Sequence, residues 1–321
     1  MTSSHRRLGI TLVFVGLAFG IPSAAAAQCP TFLAKWGTFD PAGMATDPAG
    51  NVYVSDWPRS RILKFTSTGI LITQWGSNGS GAGQFDNPGP IATDAAGDVY
   101  VGDSSNYRIQ KFTSAGVYIT QWGSFGFGDG QFAGASGLAT DAAGNVYVVD
   151  YNGMRVQKFT GTGDYLTQWG ASGTGNGEFI YPIGLATDPA GNVYVMDGGN
   201  YRVQKFTGTG AYLTQWGVYG LGNGEFVGPQ GIGTDGAGNV YVTDAASSSV
   251  QKFTSAGAYL CRWGDGVGST DGQLNYPTSV AAGAGGVVLI ADNGNQRIQT
   301  FSGSATPTRA ATWGRLKALY R

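Results

Sequence analysis

An aspartate recurs every 47 residues along the chain, at Asp47, Asp94, Asp141, Asp188 and Asp235, each shortly before a Gly-Asn/Asp-Val-Tyr-Val segment. The same step carries a second aspartate (Asp56, Asp103, Asp150, Asp197, Asp244) and a tryptophan (Trp75, Trp122, Trp169, Trp216, Trp263). Whole units therefore repeat, and a repeat of this length restricts the fold before any local motif is read.

One unit, residues 138–170, divides into four short segments of strand character: Leu138 to Thr140, Asn145 to Val149, Arg155 to Phe159 and Tyr165 to Trp169. Between them, Asp141-Ala-Ala-Gly144 and Thr160-Gly-Thr-Gly163 read as tight turns whose glycines supply positive φ. A single meander of four antiparallel strands has two apolar faces and cannot cover both itself. Stacking such units around an axis covers them, whereas a helical solenoid needs 3.6-periodic segments that this sequence lacks. The expected fold is all-β, a six-bladed β-propeller of four-stranded antiparallel blades. Five copies are regular. A sixth begins near Tyr276 and contains Gly286 to Asp292 and Asn295 to Phe301, with its spacing slipped so that Ala282 stands 47 residues after Asp235.

The segment Thr31-Phe-Leu-Ala-Lys-Trp-Gly37 matches the fourth strand of a unit (compare Ala211 to Gly217), with no first three strands before it. It is expected to complete blade six and close the ring. The alternative is that Ala310 to Gly314 closes the blade and the N-terminal strand is spare.

Residues 1–27 read as a secretory signal peptide: His5-Arg-Arg7, an apolar run from Leu8 to Ile21, then Pro22 to Ala27 as an Ala-x-Ala cleavage region. The apolar run is too short to span a membrane as a stable helix. The domain boundaries follow as 1–27 signal peptide, 28–302 propeller, and 303–321 linker and short basic tail. Such a protein is expected to be secreted, periplasmic or at the cell surface, with no integral membrane segment after processing, and monomeric. Gln28 fits poorly the lipoprotein cleavage pattern in which a small residue precedes the cysteine. Cys29 and Cys261 are the only cysteines; export permits a disulfide, and two separate thiols fit equally well. The tail, Trp313 to Arg321, reads as an amphipathic basic helix, an attachment signal or a frayed end.

Of the 19 basic residues, Arg6 and Arg7 leave with the signal, against 20 acidic residues that stay. Most basic residues sit at one repeated strand position, so no basic surface forms and nucleic acid is not an expected partner.

The units resemble the NHL-repeat family in three motifs: Pro182-Ile-Gly-Leu-Ala-Thr-Asp188, Gly191-Asn-Val-Tyr-Val-Met-Asp197 and Asn200-Tyr-Arg-Val-Gln-Lys-Phe206. The resemblance covers about residues 31 to 302. It implies the propeller fold and leaves function open, because propellers host unrelated activities. It also implies that the arginine of each unit pairs with the aspartate ending the second strand, as Arg155 with Asp150, in a structural role. Blade five departs, with Ser249 in the place of Arg61, Arg108, Arg155, Arg202 and Arg297.

In such a blade the turns after strands one and three open on one face and are nearly identical between copies. The turns after strands two and four open on the other face and differ, so binding is expected there. The candidate ligand-binding residues are Trp57, Arg59, Asn106, Tyr107, Tyr151, Asn152, Asn200, Tyr201 and Asn295. Aromatic platforms beside amides suit sugar rings or peptide segments. The partner classes expected are an extracellular protein, a peptide or a glycan. The Gly-x-Gly-x-Gly-Gln/Glu-Phe loops, such as Gly126 to Phe132, have no following helix to hold a phosphate and too few carboxylates for calcium. They read as links between blades whose phenylalanine plugs the space between sheets.

The only histidine, His5, leaves with the signal peptide. The mature chain thus has no histidine-based general base, triad or metal ligand. Related-looking six-bladed lyases, the peptide-amidating lyase and virginiamycin B lyase, depend on histidine, so their chemistry is not expected here. Lactonase-type propellers hold calcium in the central channel with Glu, Asp and Asn, which leaves a calcium-dependent hydrolase as the alternative. The leading expectation is a non-catalytic binding scaffold without a cofactor; a structural envelope component is a third.

Overall fold

A computed structural model describes residues 29–264, 266–283 and 286–302. The segments read as signal peptide and tail, and the alternative closing segment, lie outside the described residues. Within them are 24 strands, numbered β1–β24 in chain order, and no helix long and apolar enough to cross a membrane.

The strands form six four-stranded antiparallel sheets arranged as the blades of a propeller. Blade four is representative: β14 (Pro182–Thr187), β15 (Val193–Asp197), β16 (Arg202–Phe206) and β17 (Tyr212–Trp216) follow one another from the axis outward. Blade six consists of β22 (Pro277–Ala282), β23 (Val287–Asp292), β24 (Arg297–Ser302) and, outermost, β1 (Phe32–Trp36). The N-terminal strand therefore closes the ring, with Trp36 opposite Ile298 and Phe32 opposite Phe301.

Burial explains the composition of each strand. Second strands such as Val193–Asp197 are buried at every position, because neighbouring sheets cover both faces. Fourth strands such as Tyr212–Trp216 alternate between half-buried and exposed. The interblade links each put an apolar side chain between sheets: Phe85, Phe132, Phe179, Phe226 and Leu274 are all 0% exposed. First strands are glycine-rich because they crowd the axis. A Cβ added at Gly231 would lie 2.7 Å from the Thr278 carbonyl oxygen, and one at Gly137 would lie 2.9 Å from Gly184 Cα.

The first repeated aspartate builds the lower face. Asp141 Oδ1 accepts the backbone N–H of Asn145 (2.9 Å), and its Oδ2 accepts the Asn145 amide (2.7 Å) and the Tyr147 hydroxyl (2.9 Å). Lys158 lies over the Tyr147 ring at 4.9 Å and donates at 3.0 Å to the carbonyl of Gly208, in the next blade. Each such cluster thus ties its own turn to its neighbour. Burial opposes ionisation of Asp141, but the bonds from Asn145 and Tyr147 outweigh it and hold the carboxyl below its ordinary range.

In blade six the spacing reading of Ala282 is corrected. Ala282 pairs with Val288 as Thr234 pairs with Val240, so Gly283, one residue on, occupies the aspartate slot. The link between Trp263 and Pro277 is one residue longer than that between Trp216 and Pro229, which shifts the count. In the same register Leu289 replaces the tyrosine and Thr300 the lysine. All three members of the cluster are exchanged together, which avoids leaving a buried charge without its partner.

Five tyrosines at this position, Tyr53, Tyr100, Tyr147, Tyr194 and Tyr241, have their hydroxyls pushed up by burial and then by the adjacent aspartate, Tyr100 to about 12 despite the opposing pull of Lys111. The folded value exceeds the unfolded one of about 10, so this stabilisation is complete below pH 10 and is lost as pH rises beyond it. The melting temperature is expected to fall steeply above pH 10. Phenolate absorbance should show these five tyrosines ionising only as the ring unfolds; five ionising freely in native protein near pH 10 would contradict the network.

Candidate functional site

The second repeated aspartate organises the upper, variable face. Asp197, fully buried, accepts from Arg202 Nε (2.8 Å), from Asn200 Nδ2 (2.9 Å) and from the backbone N–H of Ile180 (2.8 Å). Arg202 also donates to the carbonyls of Thr174, Gly175 and Glu178, clamping the base of the preceding interblade loop. The same pairing recurs as Arg108–Asp103, Arg155–Asp150 and Arg297–Asp292. Blade five substitutes for it: Arg262, where blades one to four have glutamine, donates at 2.6 Å to the carbonyl of Leu221, the loop position that Arg202 holds at Thr174. Ser249 thus coincides with an arginine entering from the next strand.

This clamp decides where the predicted amides point. The turn after the second strand is a single 3-10 turn in four blades, at Trp57–Arg59, Ser104–Asn106, Gly198–Asn200 and Asn293–Asn295. Its third residue swings back over the aspartate. Asn106, Asn200 and Asn295 accordingly donate to Asp103, Asp197 and Asp292 and to the carbonyls of Gly79, Gly173 and Gly268. Asn152 donates to the Ala133 carbonyl at 2.7 Å. The Nδ2 donors expected to meet a ligand are engaged within the ring. Arg59 contacts Asp56 (3.0 Å) and Asp40 (3.6 Å).

The predicted aromatics are at the surface in pairs. Tyr107 and Tyr201 close their turns in the left-handed region, each at φ 54°. That throws their rings against the next interblade loop. Tyr107 meets Phe125 edge-on at 4.9 Å, Tyr201 meets Tyr219 at 5.0 Å, and Tyr151 stacks on Tyr181 at 5.1 Å. Trp57 has no such partner ring and is 47% exposed. The partners Phe125, Tyr181 and Tyr219 were not anticipated; they stand where interblade loops differ between copies.

Inside this circle the channel mouth opens into a cup of about 450 Å³. Its floor is one aliphatic side chain from each blade: Met44, Ile91, Leu138, Leu185, Ile232 and Val280. Its rim includes Trp57, Asn87, Ser104, Tyr276 and Asn293. No lining residue is Asp, Glu, Lys, Arg, His or Cys. Among the described residues the side-chain amides of Gln230 and Asn87 make no hydrogen bond. The informative position is the second residue of the first strand, which is Ala42, Gly89, Ser136, Ile183, Gln230 and Thr278 in blades one to six. All six differ, between flanking positions that barely change. Comparison of first strands across the repeat carries that signal, but their small residues suggested only packing.

The lower mouth contrasts with this. Thr93, Thr140, Thr187 and Thr234 each donate to the preceding blade's threonine carbonyl at 2.6 to 2.8 Å, and Thr46 donates to Ala282 at 3.0 Å. Its polar groups are repeated and bonded to one another. Among the described residues no three His, Cys, Asp or Glu side chains gather closely enough to hold a metal ion.

The NHL repeat model matches residues 40–65, 85–112, 132–159, 179–206 and 274–301. The chain is an NHL-repeat protein. The matched residues leave out the corresponding part of blade five, the copy whose turn is Ala245-Ala-Ser-Ser248 and whose arginine is replaced. No curated protein matches this NHL-repeat chain in sequence. Among solved structures it is similar to a gluconolactonase from Xanthomonas campestris, 14% identical with a TM-score of 0.60 over 86% of this chain and 96% of that one. It is similar also to virginiamycin B lyase from Staphylococcus aureus, 15% identical with a TM-score of 0.58 over 84% and 87% of the two chains. An auxiliary nutrient binding protein from Bacteroides thetaiotaomicron is 13% identical with a TM-score of 0.61 over 83% and 69%. At such identities the likeness is one of fold alone.

Proposed function

We propose that this NHL-repeat propeller is a non-catalytic binding module that takes an uncharged ligand, a glycan segment, over the cup on its variable face. The observation that carries this reading is the position that differs in all six blades and lines the cup. A sixfold frame repeats whatever serves folding, and here it departs from repetition where a ligand without sixfold symmetry would touch it.

The chemistry of the lining narrows the ligand class. With no Asp, Glu, Lys, Arg, His or Cys among the lining residues, the cup offers a ligand no neutralising charge. It offers an aliphatic floor, the flat face of Trp57, and the unbonded amides of Gln230 and Asn87. A cup of this size suits one or two sugar rings, with apolar ring faces on Trp57 and hydroxyls on the amides. A peptide terminus would bring a charge that nothing in the cup meets. Thr31 and Ser302 are hydrogen-bonded together at the lower face, so an exported protein held by either end of the ring would present the cup outward.

The test is a titration of purified protein with neutral oligosaccharides, followed by tryptophan fluorescence and calorimetry. Trp57→Ala is expected to weaken binding about 5- to 30-fold, since an aromatic platform contributes about 1–2 kcal/mol. Ile183→Trp, which fills the cup, is expected to abolish it. Binding only to anionic sugars, or to unblocked peptides, would overturn the assignment of ligand class.

A further inference from the structure

Cys29 and Cys261 flank the seam at which the ring closes. Cys261 is on β21 (Tyr259–Trp263), the outer strand of blade five, while Cys29 lies three residues before the start of the closing strand β1 of blade six. They share one apolar cluster with Trp263, Leu274, Phe301 and Phe32. The Cys29 thiol donates to the carbonyl oxygen of Arg262, the neighbour of Cys261, at 3.4 Å. Cys261 itself is 7% exposed. Burial pushes its thiol up to about 12, with the Cys29 side chain adding to the rise. Blades one to four carry Thr73, Thr120, Thr167 and Thr214 at the position of Cys261. The chain's two cysteines thus coincide at one contact.

We propose that Cys29 and Cys261 form an oxidative cross-link site, at which a disulfide staples the closing strand of blade six to the outer strand of blade five. The need for a staple is local. In the other five blades a short turn joins the outer strand to the third strand it pairs with, but β1 and β24 pair from opposite ends of the chain. Its three central residues are exposed. Fraying there opens the ring. The bond would enclose about 230 residues, and a cross-link constrains the unfolded chain more as the enclosed loop lengthens.

The oxidant is a dithiol-oxidising disulfide, such as an oxidoreductase or glutathione disulfide. Cys29, the more accessible thiol, attacks its sulfur, forms a mixed disulfide and expels one thiol. Cys261 then attacks the Cys29 sulfur and expels the second. Two protein thiols and one oxidant disulfide become one protein disulfide and two released thiols. This proposal rests on the seam alone and is independent of what binds in the cup.

The experiment equilibrates purified, reduced protein in glutathione disulfide, blocks remaining thiols with maleimide, and reads intact mass, peptide map and melting temperature. Both thiols should disappear together, a peptide joining Cys29 to Cys261 should be found, and the melting temperature should rise by roughly 5 °C or more. Cys29→Ser and Cys261→Thr, the latter restoring the residue of four other blades, should each abolish the rise. Glutathione left on Cys29 while Cys261 stays reduced, or an oxidised protein melting with the reduced one, would overturn the proposal.

Discussion

Replacing Asp197 with alanine is expected to cost about 3–5 kcal/mol of stability and roughly 10 °C of melting temperature. The carboxylate is fully buried and receives Arg202, Asn200, Gln204 and the Ile180 amide. Without it Arg202, only 7% exposed, keeps its carbonyl partners but loses its counter-charge. Removing one member of a buried pair costs far more than the pair contributes. Denaturant titration of Asp197→Ala beside Ser67→Ala, an exposed turn residue expected to stay within about 0.5 kcal/mol, measures the difference. A loss below about 1 kcal/mol for Asp197→Ala would show that the repeated pair is not what holds the upper loops.

Deleting residues 29–36 should do more. β1 covers β24, whose first five residues are buried, and it supplies Trp36, packed 4.8 Å from Phe65 of blade one, and Phe32, packed edge-on to Phe301. Two large aromatics at about 3–5 kcal/mol each, together with the lost ladder, place the expected loss above about 5 kcal/mol. Blade six should then unfold before the rest, visible as a second transition by hydrogen exchange. Moving Phe32–Trp36 to follow Ser302 through a flexible linker should recover most of the stability. An unchanged single transition on deletion would mean that the ring does not depend on its closing strand.

The blade count and the closing strand were legible because a 47-residue period fixes which residues are equivalent, and the Arg–Asp pairs followed from the resemblance to the NHL repeat. Reading by period failed where the period changed: one extra residue before Pro277 shifted the slot assigned to Ala282. The direction of Asn106, Asn200 and Asn295 was not legible either, because it depends on a 3-10 turn that composition does not reveal. Their recurrence beside a recurring aspartate was itself a sign of a structural role. The cup was overlooked for the converse reason. Ala42, Gly89, Ser136, Ile183, Gln230 and Thr278 sit among axis-packing residues, and only their failure to repeat distinguishes them. Trp57 stood out in the sequence as an aromatic in a turn that differs between copies, and it is 47% exposed at the rim of the cup.

The central claim is that the two mouths of one channel are unequal, the lower built to hold the ring and the upper to hold a neutral ligand. The most direct measurement is an affinity profile against one array of neutral and charged oligosaccharides for wild type, for Trp57→Ala/Gln230→Ala at the upper mouth, and for Thr93→Val/Thr140→Val at the lower. The account predicts binding to neutral glycans that the upper pair abolishes and the lower pair leaves intact. Glycan binding that survives the upper pair and vanishes with the lower would contradict it.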